Sequence, residues 1–195
     1  RELEFYTSVP RIPIGSKDAV ESQITLGFTE ELSTIPAELI DSVDKLTSLA
    51  TSLTKCGEFA IEVVATAEDP FESEIVGLAF ATNVGETSYI PVKSPDGNHI
   101  ASKIVFEILG NIFNDSSIKK ILHNSNFPMT ILSIAGAGLQ GLVFDTLLAS
   151  HFVGRKAMDL SSLVLECFQE ELPTDKDFWG TGRSRVQPDQ MPIQD

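Results

Sequence analysis

The chain has 195 residues, of which 42% are hydrophobic and 22% are charged. This composition is ordinary for a soluble globular protein, and the length suits one domain with a buried core. The 28 acidic residues against 14 lysines and arginines give a net charge of −14, which argues against a free-standing nucleic-acid binder but not against a module tied to a basic partner domain.

The sequence carries no membrane or secretory signal. No apolar run approaches the roughly 20 residues of a membrane-spanning helix, and the opening RELEFYTSVP has no apolar signal-peptide core. Cys56 and Cys167 stand far apart in apolar surroundings, without C-x-x-C spacing. We therefore expect two reduced core cysteines in a cytoplasmic, monomeric protein with no membrane partner.

The N-terminal part divides into an irregular arm and a helix. Residues 1–25 mix proline, glycine and polar residues without a sustained period. Four apolar residues then suggest one helical face: Leu39, Val43, Leu46 and Leu53. We predict that residues 1–55 form an N-terminal arm or linker with a helical segment.

Three strands are predicted next. The apolar run 59–66 predicts a buried strand, although Glu62 lies in its middle, and 74–82 and 87–92 predict two more. Strands joined by such short connections must be antiparallel neighbours.

Helices and strands alternate in the remainder. Residues 100–113 predict an amphipathic helix, because Ile100, Ile104, Ile108 and Ile112 recur at helical spacing and are joined by Val105 and Leu109. The helix makes a crossover, so the short strand predicted at 117–124 should run parallel to the first strand.

The later elements have recognisable helix starts. We predict a helix with Pro128 in its first turn, a brief strand in LQGLVFD, and two helices beginning near Asp145 and Asp159, with each aspartate as N-cap. These elements complete a domain over residues 56–172, and the polar residues 173–195 predict a loose C-terminal tail.

Three glycines form a G-x-G-x-x-G pattern: Gly136, Gly138 and Gly141, with Asp159 further along the chain. This pattern is typical of dinucleotide binding when a strand precedes it and a helix follows. Here the predicted order is reversed, so we interpret the glycines as the end of a helix.

Several segments resemble the proofreading domain of bacterial family A DNA polymerase I. FAIEVVATAEDPFESEIVGLAFATNVGETSYIPV is similar to its first three strands, and LQGLVFDTLLASHFV, GRKAMDLSSLVLECF and WGTGRSR follow in the family's order. The resemblance covers about residues 57–185 and implies a ribonuclease H-like 3′–5′ exonuclease fold. That α/β fold is a mixed sheet of about five strands, three antiparallel and then parallel, flanked by helices.

In the active members of this family, four carboxylates hold two divalent ions that activate water at a DNA end. The first two acids form a D-x-E pair, and the resemblance sets Glu62 and Val64 at these positions. The segment of the third acid matches residues 123–128, where Asn124 is retained and Pro128 replaces the acid. The fourth acid lies on a helix beyond WGTGRSR.

The resemblance thus implies a site without intact catalytic acids, in which Glu62, Val64 and Pro128 are vestigial positions. No metal is expected, and Glu62 is the only candidate ligand. Asn124, Arg183 and Arg185 are candidates for DNA contact. His123 is predicted to be a structural or surface residue.

These observations predict an exonuclease-like domain that lacks proofreading activity and acts as a scaffold for a polymerase domain in cis, in replication and repair. The parent protein would be a DNA polymerase that uses Mg²⁺ in its own domain and contacts DNA, whereas this part needs no cofactor. An alternative stays open: a residual metal-dependent 3′–5′ exonuclease on single-stranded ends that recruits Glu68, Asp69 or Glu72.

Overall fold

The computed structural model describes residues 37–173, 180 and 186–191. Its strands are β1 (Glu38–Leu39), β2 (Glu58–Ala65), β3 (Ile75–Asn83), β4 (Glu86–Pro91), β5 (Lys119–Leu122) and β6 (Leu142–Asp145). Its helices are α1 (Val43–Cys56), α2 (Ser102–Asn114), α3 (Asn126–Ile134), α4 (Thr146–Phe152), α5 (Leu160–Phe168) and a 3₁₀ helix at Pro188–Gln190.

The strands form one mixed sheet in the order β1-β4-β3-β2-β5-β6. β2, β3 and β4 pair antiparallel, whereas β5 runs parallel to β2 and β6 parallel to β5. The three antiparallel strands and the parallel return through a helix are therefore confirmed. The remaining strand, β1, was not predicted. It pairs parallel with β4 through only two residues, and two residues are too few to show a period in the sequence.

One face of the sheet is covered and holds the core. Alternation along β2 buries Phe59, Ile61 and Val63 on this face, while Glu58 and Glu62 are exposed. Residues from α1, α2 and α3 join the same buried cluster. The opposite face of β2 therefore carries the Glu62 side chain.

Each of two predicted helical faces agrees with the structure in part, and Leu39, which was predicted on the face of α1, lies in strand β1. In α1 the buried residues are Leu46, Leu49 and Leu53, whereas Val43 is 47% exposed. In α2, Val105 is fully buried and Ile104 is 39% exposed. An apolar stripe several residues wide fits more than one helical face, and only the packing partner selects between them.

The predicted helix starts agree with the structure. Asp145 accepts hydrogen bonds from the backbone N–H groups of Leu147 and Leu148 as the N-cap of α4, and Asp159 caps α5. Pro128 is the third residue of α3, where its missing N–H leaves no helical bond unmade.

The position of the glycine pattern agrees with its interpretation as the end of a helix. Gly136 follows the end of α3 with a φ of 81°, which a residue with a side chain rarely adopts. Strand β6 begins directly after Gly141, so a strand follows the pattern and the order of a dinucleotide site is absent.

The expectation of buried cysteines is wrong, because Cys56 and Cys167 are both exposed. Cys56 ends α1, and its thiol donates to the carbonyl oxygen of Glu58 at 2.9 Å. Cys167 lies on α5. Apolar neighbours in sequence did not indicate burial of Cys167, because the buried residue of α5 is Leu163.

The chain ends of the described part also pack on the sheet. Helix α1 contributes to the core, and in the 3₁₀ helix Pro188 is buried while Asp189 pairs with Lys93 at 3.0 Å. The predicted divisions of the chain near residues 55 and 172 stay predictions. In the part of the chain described, no helix is long and apolar enough to cross a membrane.

Candidate functional site

The face of the sheet opposite the core residues Phe59, Ile61 and Val63 carries the positions of the predicted D-x-E pair. Glu62 and Val64 lie two residues apart on β2 and so point to the same side. Glu62 pairs in register with Ala79, and Val64 with Gly77. Glu62 is exposed and Val64 is partly buried. The strand thus presents one carboxylate and one hydrocarbon where two carboxylates would be needed for a metal pair.

The surroundings of Val64 are apolar. Tyr89 of β4 pairs in register with Ala79, and its phenol ring lies over Gly77, so closely that a Cβ at Gly77 would overlap the ring. Burial raises the pKa of the Tyr89 hydroxyl, so this hydroxyl stays protonated at neutral pH. A neutral phenol and a valine side chain supply no negative charge to this part of the face.

Pro128, which the resemblance sets at the position of the third acid, is buried in the first turn of α3. Proline has neither a side-chain donor nor an acceptor, and this one is buried in a helix whose Ile131 and Leu132 belong to the core. The ring therefore contributes packing and offers no ligand.

The segment between β5 and α3 is held by a buried carboxylate. Asn124 has a φ of 53°, and its backbone N–H donates to Asp145 Oδ1 at 3.2 Å. The N–H of Ser125 donates to Asp145 Oδ2 at 2.7 Å. With the N–H groups of Leu147 and Leu148 at 2.9 and 3.3 Å, the Asp145 carboxylate accepts four backbone hydrogen bonds.

These hydrogen bonds decide the charge of Asp145. Burial acts to raise its pKa, but the hydrogen bonds from Ser125, Leu148 and Leu147 outweigh burial and lower the pKa to about 2. Asp145 is thus a structural anion and not a proton donor or acceptor near neutral pH. Its N-cap role was predicted from sequence, whereas its bonds to a loop 20 residues earlier leave no local sequence signal.

The polar side chain next to Asn124 in sequence forms a hydrogen bond within the domain. His123 Nδ1 lies 2.8 Å from Thr146 Oγ1, so the imidazole links the end of β5 to the start of α4. The Asn124 side chain is exposed beside this link. Asn124 is therefore available for contact with a ligand, while Arg183 and Arg185 lie outside the described residues.

The turn after β2 holds the acids of the alternative hypothesis. Glu68, Asp69 and Glu72 are exposed, and Asp69 Oδ1 accepts a hydrogen bond from the Phe71 N–H at 2.9 Å. Asp69 thus stabilises its own turn, in the manner of an Asx turn.

The two divalent ions implied by the sequence resemblance can be tested against these residues. Within 37–173, 180 and 186–191, no group of three or more His, Cys, Asp and Glu side chains could hold a metal ion. The resemblance sets Val64 and Pro128 at two ligand positions, and their side chains carry none of the oxygen atoms that hard divalent ions require. The described residues therefore do not fit a two-metal centre.

Comparison with known proteins gives three consistent matches. A family model for the 3′–5′ exonuclease of DNA polymerase A matches residues 37–191. DNA polymerase I of Chloroflexus aurantiacus is 27% identical over 161 residues, which are 82% of this chain and 17% of that protein. DNA polymerase I of Synechocystis sp. is 29% identical over 157 residues, which are 77% of this chain and 15% of that protein.

A solved structure shares the fold. Escherichia coli RNase D, an exoribonuclease involved in structured RNA processing, superposes with a TM-score of 0.61 at 21% identity and covers 82% of this chain and 38% of that one. The chain thus spans less than a fifth of the curated relatives' length, while most of it shares an exonuclease-type architecture.

Proposed function

We propose a function from one premise: the chain belongs to the 3′–5′ exonuclease family of DNA polymerase A. It is an exonuclease-like domain of a DNA polymerase I in which the proofreading chemistry is lost. In this proposal the domain serves as a scaffold for a polymerase domain of the same polypeptide, in DNA replication and repair.

The observation that carries this proposal is the chemistry of β2. Glu62 and Val64 lie on one face of the strand, and the family's chemistry needs a carboxylate at both. A valine side chain cannot bind a divalent ion, and Glu62 is one methylene longer than the aspartate of a D-x-E pair. That methylene moves the carboxylate by roughly 1.5 Å, whereas catalytic geometry tolerates about 0.5 Å.

The same proposal assigns the remaining functions to the parent protein. The parent is a cytoplasmic polymerase that uses Mg²⁺ in its own domain and contacts DNA there, and this domain binds no cofactor. Contact between Asn124 and DNA would be a positioning contact, because the proposal leaves no metal-activated water beside it.

An exonuclease assay tests the proposal. The chain is incubated with 5′-labelled single-stranded DNA and either Mg²⁺ or Mn²⁺, beside the variant Glu62→Ala. We expect no shortening of the DNA from its 3′ end by either protein. Metal-dependent shortening that disappears in Glu62→Ala would overturn the proposal and support the residual exonuclease.

A binding measurement adds a matched control. We expect Mn²⁺ titration calorimetry to show no saturable site on the unaltered chain in the micromolar range. The double variant Glu62→Asp/Val64→Glu sets two carboxylates on one face of β2 and should bind Mn²⁺ more tightly. A micromolar Mn²⁺ site in the unaltered chain that Glu62→Ala abolishes would contradict the proposal.

A further inference from the structure

Residues 186–191 return to the sheet at β2, far along the chain from the strands themselves. Their 3₁₀ helix, Pro188–Gln190, contacts β2 and has Pro188 as its buried residue. The other residues of this segment are exposed or partly buried. We call residues 186–191 the C-terminal strap. One buried proline is a small apolar anchor for a segment of this length.

Lys93 links the C-terminal strap to the sheet. Its Nζ lies 3.0 Å from Asp189 Oδ2 and 2.6 Å from Glu74 Oε2. The hydrogen bonds to Glu74 and then to Asp189 raise the pKa of Lys93, so its ammonium is charged at neutral pH. One cation therefore bridges two carboxylates that are more than 100 residues apart in sequence.

This ion-pair network lies at the carboxyl end of β2. Lys93 follows the last residue of β4 by two positions. The N–H of Thr66, the first residue after β2, donates to the Glu74 carbonyl oxygen at 3.0 Å, and the N–H of Glu74 donates to Thr66 Oγ1 at 3.0 Å. The C-terminal strap is thus fastened two residues beyond Val64, at the end of the strand that carries the predicted D-x-E positions.

The backbone of the C-terminal strap is bonded only to itself within the described residues. The N–H of Gln190 donates to the Gln187 carbonyl oxygen at 2.9 Å, and that of Met191 to the Pro188 carbonyl oxygen at 3.4 Å. In the part of the chain that the structure describes, no backbone hydrogen bond joins the strap to the sheet. A segment with one buried side chain and no shared backbone bonds opens locally at a low cost in free energy.

The opposite end of the described chain is attached in another way. Strand β1 pairs with β4, and the N–H of Ile40 donates to the Tyr89 carbonyl oxygen at 2.8 Å. Ile40 is also buried in the core. Backbone pairing and apolar burial hold that end, whereas an ion pair is a main attachment of the C-terminal strap.

We propose that the C-terminal strap is a movable element that an ionic clasp at Lys93 holds against the end of β2, and that opens when the clasp is broken. The Lys93 and Glu74 side chains are 43% and 70% exposed, and that of Asp189 is 22% exposed. Salt screens exposed ion pairs, so opening increases with ionic strength. Opening uncovers Pro188 and the part of β2 that the 3₁₀ helix contacts. The inference does not depend on whether the chain degrades DNA.

A thiol at position 188 reports on opening. The variant Pro188→Cys is prepared in the 195-residue chain, and its labelling by a maleimide is followed by mass spectrometry, with the exposed Cys56 as the internal reference. We expect the introduced thiol to react at least about tenfold more slowly than Cys56, because the closed strap buries it.

Breaking the clasp should speed up this labelling. Lys93→Met, added to Pro188→Cys, keeps the length of the side chain and removes its charge, and should raise the labelling rate at least about threefold. Lys45→Met is the matched control, because it removes an ion pair of similar length elsewhere, Lys45–Asp41 at 2.9 Å; it should leave the rate unchanged. A rise from 0.05 to 1 M NaCl, both chosen as roughly low and high screening, should speed up labelling when Lys93 is present and have no effect after Lys93→Met.

A second measurement needs no introduced cysteine. Amide hydrogen exchange of a peptide that spans residues 186–191 is compared in Lys93→Met, Asp189→Asn and the double variant. Each single substitution should accelerate exchange at least about threefold, and the double variant should exchange no faster than either, because both remove the same contact.

Three results would overturn the inference. One is a position-188 thiol that reacts as fast as Cys56 in Pro188→Cys. Another is labelling and exchange that Lys93→Met leaves unchanged. The third is a double variant in which the two effects multiply, since independent effects would show that Lys93 and Asp189 do not act as one clasp.

Discussion

The Asp145 carboxylate links the end of β6 to the loop after β5 and to α4, so removal of its charge should lower the stability of the protein. It is 8% exposed and accepts backbone hydrogen bonds from the loop after β5 and from the first turn of α4. The variant Asp145→Asn keeps the shape of the side chain and removes its charge. One of its two oxygens becomes an NH₂ group that faces backbone N–H donors, so hydrogen bonds are replaced by repulsion.

The magnitude follows from the pKa. The Asp145 pKa falls from its ordinary value of 3.8 to about 2 in the folded protein. A difference of about two units corresponds to roughly 2.5 kcal/mol of stabilisation of the charged form. We therefore expect Asp145→Asn to lower the free energy of unfolding at pH 7 by roughly 2.5 kcal/mol, as measured by urea unfolding followed by circular dichroism.

The stabilisation by Asp145 should depend on pH in a defined direction. Because the folded pKa of Asp145 lies below the unfolded value, its stabilisation is fully present above about pH 4 and is lost as the pH falls towards 2. The difference between the unaltered protein and Asp145→Asn should be constant from pH 5 to 8 and shrink below pH 4.

A matched control is Asp159→Asn. Asp159 is also a helix N-cap, but it is exposed, and the partner of its side chain is Ser162, whose N–H donates at 2.8 Å. Asparagine caps helices about as well as aspartate, so Asp159→Asn should have little effect. Equal losses for the two variants, or a loss for Asp145→Asn that is unchanged at pH 2.5, would refute the role assigned to Asp145.

Two further predictions concern the packing of the sheet, and both are measured as unfolding free energies at pH 7. Gly77→Ala should lower the free energy of unfolding by about 1–3 kcal/mol, because its Cβ would overlap the Tyr89 ring. Gly110→Ala in α2 has open space and should raise the free energy of unfolding by up to about 1 kcal/mol. Unchanged stability of Gly77→Ala would contradict the contact. Lys120 is fully buried, with Nζ donating to a carbonyl oxygen at 2.7 Å and lying 6.0 Å from the centre of the Phe59 ring. Lys120→Met should raise the free energy of unfolding by about 1 kcal/mol, since it removes a desolvated charge without an acidic partner in contact. A lower free energy of unfolding would instead show that the ammonium stabilises the fold.

Most of the fold was predictable because its signals are local. The alternation of Phe59, Ile61 and Val63 in β2 and the short connections to β3 and β4 require antiparallel strands. Asp145 and Asp159 mark helix starts through bonds within three residues of their own positions. Residue-by-residue resemblance also predicted the family, which the family model over residues 37–191 confirms.

Other features depend on residues distant in sequence. Ile104 and Val105 were both predicted on the apolar face of α2, and the exposure of Ile104 was set by what packs against that helix. The exposure of Cys167 was decided by the absence of a covering layer over α5 in the described part of the chain. The two-residue strand β1 forms only because β4 offers it an edge.

By itself, the sequence determined the side-chain chemistry that is available: the side chains of a valine at position 64 and a proline at position 128 cannot bind a metal in any conformation. Only the tertiary structure decided where the remaining groups lie. It directs Glu62 away from the core residues of β2, covers Gly77 with Tyr89, and buries Asp145 under four N–H donors. Residue type fixes which bonds a side chain can form, whereas burial and neighbours from distant segments fix which bonds it does form.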